Sequence, residues 1–269
     1  MYGVLIAFKE FSPTKGIMGS PWVGLKYFVR FFNSYQFMEL IKNTFSLSVV
    51  QLLVTFPLPI ILALMLNQLT GEKIQKFTQT VVYAPYFIST VVLVGAMFVF
   101  LSPDSGIINV FVKAFGGKPI YFFSSASWFK PLYVLSSVWQ GTGFAAVIYI
   151  AGLSAISPEL HEAAIVDGAS KFRRILAIDL PGIAPIIIIQ LILAIGGVMN
   201  VGFEKAFLMQ TSLNLDASEI IQTYVYKLGL QQAQYEFATA VGLFQSVINL
   251  VLLVTVNKIV RNVSESSLW

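Results

Sequence analysis

Charged residues divide this chain into long apolar blocks. Runs free of Asp, Glu, Lys and Arg cover 43–71, 77–103, 131–158, 180–203 and 237–257, each at least 21 residues long, whereas about 20 apolar residues cross the hydrocarbon of a bilayer. The pattern predicts an all-α integral membrane protein, a polytopic helical bundle with five complete spans at about 43–66, 79–101, 132–154, 184–203 and 239–257. A sixth apolar stretch, Tyr2 to Phe8, stops at Lys9 and is too short to span. It also lacks the basic start, apolar length and small-residue cleavage site of a signal peptide.

Between these blocks the pattern becomes amphipathic. Trp22, Leu25, Phe28, Val29 and Phe32 recur at helical spacing, predicting an interfacial helix within 9–42. Ile220, Ile221, Tyr224, Val225 and Leu228 predict a second one, started by Asp216 and Glu219 as a capping-box pair and ended before Gly229. The stretch 102–130, with Gly106, Gly116, Gly117 and Pro119, reads as a loop, and Trp128 and Tyr133 read as part of an aromatic belt. Inside the spans, Pro57 and Pro59 bend the first, and Tyr83, Pro85, Tyr86 and Ser89 make a kinked, partly polar face on the second. Gly141 and Gly143 allow close helix approach on the third. No internal repeat or low-complexity segment is visible.

The polar island from Ser157 to Pro181 stands apart from the other loops. Ser157 can N-cap a short helix, Pro158 suits its first position, and Glu159 favours the positive helix end. Gly168 can take the left-handed turn that ends it. A second short helix is expected from Ser170, stopping or kinking at Pro181. The result is a helix, turn, helix elbow between spans.

Composition narrows the chemistry. Of 269 residues 57% are hydrophobic and 11% charged, with mean hydropathy +0.78, far from the charged quarter of soluble domains. A net charge of +4 is too small and scattered to imply nucleic acid, and fits basic residues at membrane surfaces. The absence of cysteine excludes disulfides and thiolate metal sites, and the single histidine, His161, excludes a two-histidine zinc site. His161 is expected to be a solvated neighbour of Glu162. No G-x-x-x-x-G-K-[ST] phosphate loop occurs, so the chain should not hydrolyse ATP itself. No span carries a central ionisable residue, which argues against proton coupling.

The elbow resembles the EAA loop of permease subunits of binding-protein-dependent ABC importers. Glu162-Ala163-Ala164, Asp167-Gly168 and Ile178-x-Leu180-Pro181 occupy the motif's positions at its spacing. An ordinary solvated loop is the plain alternative, and the complete spacing outweighs it. The resemblance covers 40–260 and extends to the maltose-type carbohydrate family, in its oligosaccharide and polysaccharide branch, through Tyr83 to Ser89, Gly202-Phe203-Glu204 and Thr223-Tyr224-Val225-Tyr226. It implies that residues 41–260 form the transmembrane permease domain. It implies further that 1–40 hold a partial first span containing Met1 and an extracytoplasmic amphipathic segment, and that 261–269 form a cytoplasmic tail.

The same resemblance makes Glu162, Ala163, Ala164, Asp167, Gly168, Ile178, Leu180 and Pro181 the ATPase-coupling set, on a cytoplasmic coupling helix. Parity then puts the Lys73 loop and the tail inside, with 9–42, 102–130 and 204–238 outside. Basic residues support this only as a modest density difference, seven inside against ten on roughly twice the length outside. Implied partners are a second, similar permease in a heterodimer, ATPase subunits carrying ATP and Mg, and an extracytoplasmic solute-binding protein. The chain itself would carry no cofactor.

Buried uncharged polar groups with aromatics suit a hydroxyl-rich solute: amides replace its water hydrogen bonds and rings cover its apolar faces. The substrate-pathway candidates are Tyr83, Tyr86, Trp139, Gln140, Asn200, Gln245 and Asn249, with Gln190 beside them. For each alone, helix-to-helix bonding is the simpler explanation. The alternative reading is a stand-alone secondary carrier or channel; a scaffolding protein and a membrane enzyme are weaker still.

Overall fold

The computed structural model describes residues 2–263, so most of the 261–269 tail lies outside the described residues. Among these residues the chain is helical, and its only bridge is an isolated antiparallel one between Lys9 and Trp22. Four helical segments are long and apolar enough to cross a membrane: Phe37–Asn67, Ala126–Ser154, Lys171–Gly196 and Tyr235–Asn262. A fifth candidate is the pair Glu72–Phe87 and Thr90–Phe100. That pair is interrupted at Ile88 and Ser89, where the chain leaves the helix after a 3-10 turn at Ala84–Phe87. Pro85 in that turn has no N–H to bond the preceding turn, and its ring crowds the carbonyl there. The expected single span at 79–101 is therefore two helices.

The chain divides into two compact units. Among the described residues, one comprises 2–49, 90–133 and 197–252; the other comprises 50–89, 134–196 and 253–263. The loops that parity assigns to one side, 9–42, 102–130 and 204–238, fall in the first unit. The Lys73 loop and the elbow fall in the second.

In the first unit, Phe31, Leu40, Ile221, Tyr224, Phe237 and Val241 form one buried cluster. Most of the connecting chain is irregular, and side-chain amides satisfy its backbone. Asn109, fully buried, donates to the carbonyls of Leu101, Ser102 and Ile120 and accepts from Ile120 N–H. Asn214 donates to Phe123 and Met209 carbonyls and accepts from Thr211 N–H and Ser218 Oγ. Asn43 Nδ2 donates to the Asp216 and Glu219 carbonyls. These bonds matter because an unpaired polar group removed from water costs on the order of a few kcal/mol.

Several expectations change in this unit. Tyr2–Phe8 is a 3-10 helix, and the interfacial helix near the N-terminus shortens to Lys26–Phe32, with Tyr27 and Phe31 turned inward and Val29 and Phe32 outward. Residues 102–130 contain a helix, Ile107–Ala114, held by Asn109. Asp216 and Glu219 do not cap a common helix: Asp216 lies in the turn Leu215–Ser218, and Glu219 follows it in extended backbone, paired to Lys227 at 2.7 Å. Thr223 takes over that role by accepting from Ile220 N–H at 3.1 Å. Ile220, Ile221, Tyr224 and Leu228 are buried in protein, so this segment is core and not an interfacial helix. It also runs past Gly229, through a π-turn Lys227–Gln231. Tyr133 is buried, its hydroxyl donating to the Val201 carbonyl, and so does not belong to an aromatic belt. The fourth span ends at Gly196, and residues 197–202 leave the helix.

In the second unit, Ile60, Ala63, Ala146, Tyr149, Leu153 and Ile183 form the core, with Ile156 and Leu180 packed against it. Of the two glycines expected to admit close approach, only Gly143 does so: a Cβ there would lie 2.1 Å from the Val82 carbonyl oxygen, while Gly141 faces open space. Gly143→Ala should therefore lower stability by roughly 1–3 kcal/mol, a fall of several degrees in the thermal midpoint in detergent, with Gly141→Ala near wild type. Equal midpoints for the two variants would refute the close approach.

Candidate functional site

The elbow is built as its sequence predicts at its start and turn. Ser157 Oγ accepts from Glu159 N–H at 3.3 Å, Pro158 opens the helix Pro158–Val166, and Asp167 follows it. Gly168 adopts φ +74°; its N–H reaches the Ile165 carbonyl and Ala169 N–H reaches that of Ala164, the pairing of a Schellman motif. A Cβ at Gly168 would meet no neighbour, so its requirement is the left-handed backbone alone. Ser170 then caps Lys171–Arg174 by accepting from Arg173 N–H.

The chain does not stop at Pro181. Lys171–Arg174 continues through a π-turn, Ile175–Asp179, closed by Leu180 N–H on the Ile175 carbonyl, into Leu180–Gly196. The wider turn bonds one residue further back and precedes the proline, whose missing N–H falls in the first turn of the new helix.

The coupling candidates separate into two groups. Glu162, Ala163, Asp167 and Gly168 are exposed and Ala164 is half-buried, beside an apolar surface of Leu160, Ile165, Val166 (87% exposed) and Phe172 (69%). Ile178 and Leu180 are half-buried, and Leu180 packs on the unit's core; Pro181 is exposed. His161 is no solvated neighbour: its Nε2 lies 3.2 Å from Oδ1 of the fully buried Asp179. Gln68 Nε2 donates to the other oxygen, also at 3.2 Å. Sequence reading missed this triad, because the three residues are apart in the chain and Asp179 occupies the variable place between Ile178 and Leu180. A lone Asp beside a charge-free run was the available signal.

The pathway candidates fall in both units. In the first, Asn200, Gln245 and Asn249 meet. Gln245, 6% exposed, donates to the Met199 carbonyl and to Asn200 Oδ1; Asn249 Nδ2 also reaches Asn200 Oδ1, and its Oδ1 accepts from Met199 N–H. Gln222, absent from the sequence-based set, reaches the same oxygen at 3.4 Å and has a buried Oε1 without a partner. It lines a cavity of about 610 Å³ with Phe203, Tyr226, Tyr235, Thr239 and Ser246. In the second unit, Gln140 donates to the Ile88 carbonyl and Tyr86 stacks on Phe144 at 4.0 Å. Tyr83 is half-buried and Trp139 exposed, while Gln190 lines a second cavity of about 470 Å³. Among the described residues no group of three or more His, Cys, Asp or Glu is placed to hold a metal.

A family model described as binding-protein-dependent transport system inner membrane component matches residues 37–265. The chain belongs to that family. The match begins at the same residue as the first long helix. This permease is 41% identical, over its whole length, to the polygalacturonan/rhamnogalacturonan transport system permease protein YteP of Bacillus subtilis (strain 168), covering 84% of it. It is 43% identical to Protein LplB of the same organism, covering all of this chain and 85% of that one.

Among solved structures it is similar to a bacterial ABC transporter involved in the import of the acidic polysaccharide alginate, with TM-score 0.90 and 39% identity over 97% of this chain and 88% of that one. A bacterial alginate ABC transporter in complex with an alginate pentasaccharide-bound periplasmic protein gives 0.91 and 38% over 99% and 88%. The chain is thus a membrane-embedded transport permease of an ABC importer and not a catalytic enzyme.

Among the described residues two lysines are buried outside the span candidates, Lys9 and Lys205. Lys205, 7% exposed, donates to the Tyr133 carbonyl at 3.0 Å and sits 4.8 Å from the centre of the Tyr133 ring. Burial pulls its ammonium from the usual 10.5 down to about 7. Between these values the unfolded chain holds more protons than the folded one, so stability rises with pH through this window. Thermal midpoints of wild type minus Lys205→Met should become more positive from about pH 7 to about pH 10. A pH-independent difference would show that the proton is not shifted.

Proposed function

We propose that this chain forms part of the translocation pathway for oligosaccharides in an ATP-driven importer and receives its stroke through the elbow. The observation that carries this reading is the motif set out on a doubly capped, surface-exposed helix rooted in the unit's core. Glu162, Ala163, Ala164, Asp167 and Gly168 would present the surface that meets a cytoplasmic ATPase. Ile178, Leu180 and Pro181 would transmit the motion into the membrane. The small side chains of Ala163 and Ala164 admit a partner surface closely, and Glu162 supplies a carboxylate for charge-assisted hydrogen bonds.

On this reading ATP and Mg bind and react on the ATPase, a second permease completes the pathway as a heterodimer, and a solute-binding protein delivers the sugar outside. The relatives' named cargoes support a polysaccharide-derived solute, and the amide and ring chemistry of Asn200, Gln245, Asn249, Gln140, Tyr83, Tyr86 and Trp139 suits sugar hydroxyls and faces. Alternating access follows from two states of the bundle that the ATPase and the loaded binding protein bias in turn.

Affinity capture of the tagged chain from gently solubilised membranes tests this. An ATPase subunit should co-purify, and Glu162→Lys should lower its yield by about tenfold or more, the loss corresponding to one charge-assisted hydrogen bond turned into repulsion. Capture of other partners without any ATPase, or equal capture by the variant, would refute the role of the elbow.

A further inference from the structure

Asp179 is the only fully buried carboxylate among the described residues, and three separate segments meet on it. His161 comes from the middle of Pro158–Val166, Gln68 caps the C-terminal end of Pro57–Asn67, and Asp179 itself closes the π-turn Ile175–Asp179. Oδ2 accepts a hydrogen bond from Gln68 Nε2 at 3.2 Å, while Oδ1 lies 3.2 Å from His161 Nε2 as an ion-pair contact outside hydrogen-bond geometry. Arg174, whose Nε is buried without a partner, acts on the same carboxylate electrostatically.

A buried charge is costly unless compensated, and an apolar side chain would fill the same place with less penalty. What an apolar residue cannot do is fix three segments in one register. The π-turn places Asp179 there by adding a residue to the helix just before Pro181, an interruption of the kind often found at functional sites.

We propose that Asp179 is a positioning residue for energy coupling, tying the elbow helix through His161 and the Pro57–Asn67 helix through Gln68 to the start of the Leu180–Gly196 helix. A displacement applied to the exposed face of the elbow then moves all three segments as one body. This rests on the reading of the elbow as the ATPase contact. The function of Asp179 is distinct from that of Glu162: it holds the lever and does not touch the partner.

The test uses the full chain with its captured partners in lipid nanodiscs, as wild type, Asp179→Asn, and Asp179→Asn combined with Gln68→Glu. In the single variant the negative charge that strengthens both contacts is lost. In the double variant the new carboxylate at 68 accepts from the new amide at 179, whose oxygen remains for His161. Amide exchange over 159–166 should be about tenfold faster in Asp179→Asn, with ATP hydrolysis per complex lowered about tenfold while ATPase capture is unchanged. Both should return to within about threefold of wild type in the double variant.

Exchange and hydrolysis at wild-type levels in Asp179→Asn would overturn the proposal, as would a loss that the double variant does not restore. If Asp179→Asn fails to insert, His161→Ala carries the same expectation for exchange and hydrolysis. If no ATPase co-purifies with wild type, the coupling reading fails on its own. Exchange still decides the tie, and unchanged exchange overturns it.

Discussion

Backbone amides and carbonyls away from water must find partners within the protein, and this constraint governs the buried departures from helix in the permease. Asn109, Asn214 and Asn43 each take several carbonyls or amides from irregular chain, and Gln140 and Gln245 do the same for Ile88 and Met199. Three of the side chains expected to face a sugar, Gln140, Gln245 and Asn249, pair the backbone where the chain leaves the helix at 88–89 and 197–202. An amide can serve several partners at once, because it has two donors and an acceptor with two lone pairs. Gln245 uses donors on the Met199 carbonyl and Asn200, while Asn200 stays exposed. These bonds tie the amides of Gln140, Gln245 and Asn249 to the backbone at Ile88 and Met199.

The elbow solves a different problem. A nine-residue helix is too short to be stable by itself in water. Ser157 and the Schellman bonds at Gly168 satisfy its ends, Ser170 starts the next helix at once, and Ile156 and Leu180 anchor the elbow's flanks in the core. What remains outside is an acidic and apolar surface on a fixed frame. Asp179 adds a polar anchor beneath that frame, where apolar packing alone would allow sliding.

Buried charges show how the fold handles exceptions. Lys9 is almost fully buried yet donates to the carbonyls of Ile17 and Met18 and lies near the Trp22 ring. Lys205 has a carbonyl and a ring but loses enough hydration that its proton is held weakly. Asp179 has an imidazole, an amide and a nearby guanidinium. In each case the compensation comes from atoms brought together by folding.

The sequence by itself determined the membrane class, the approximate positions of the apolar blocks, the Ser157 cap, the helix start near Ser170 and the left-handed turn at Gly168, because these depend on local chemistry or on block length. It also made the elbow legible, since a motif at fixed spacing is read along the chain. Only the tertiary structure decided that the second block is two helices, that the fourth runs through Pro181 on a π-turn yet ends at Gly196, and that Ile220 to Leu228 are core. It alone brought His161, Gln68 and Asp179 together. The physical reason is that burial and long-range hydrogen bonds depend on which distant segment lies opposite. An apolar stripe looks the same facing lipid or protein, and an isolated Asp reveals its partners only once the chain is folded around it.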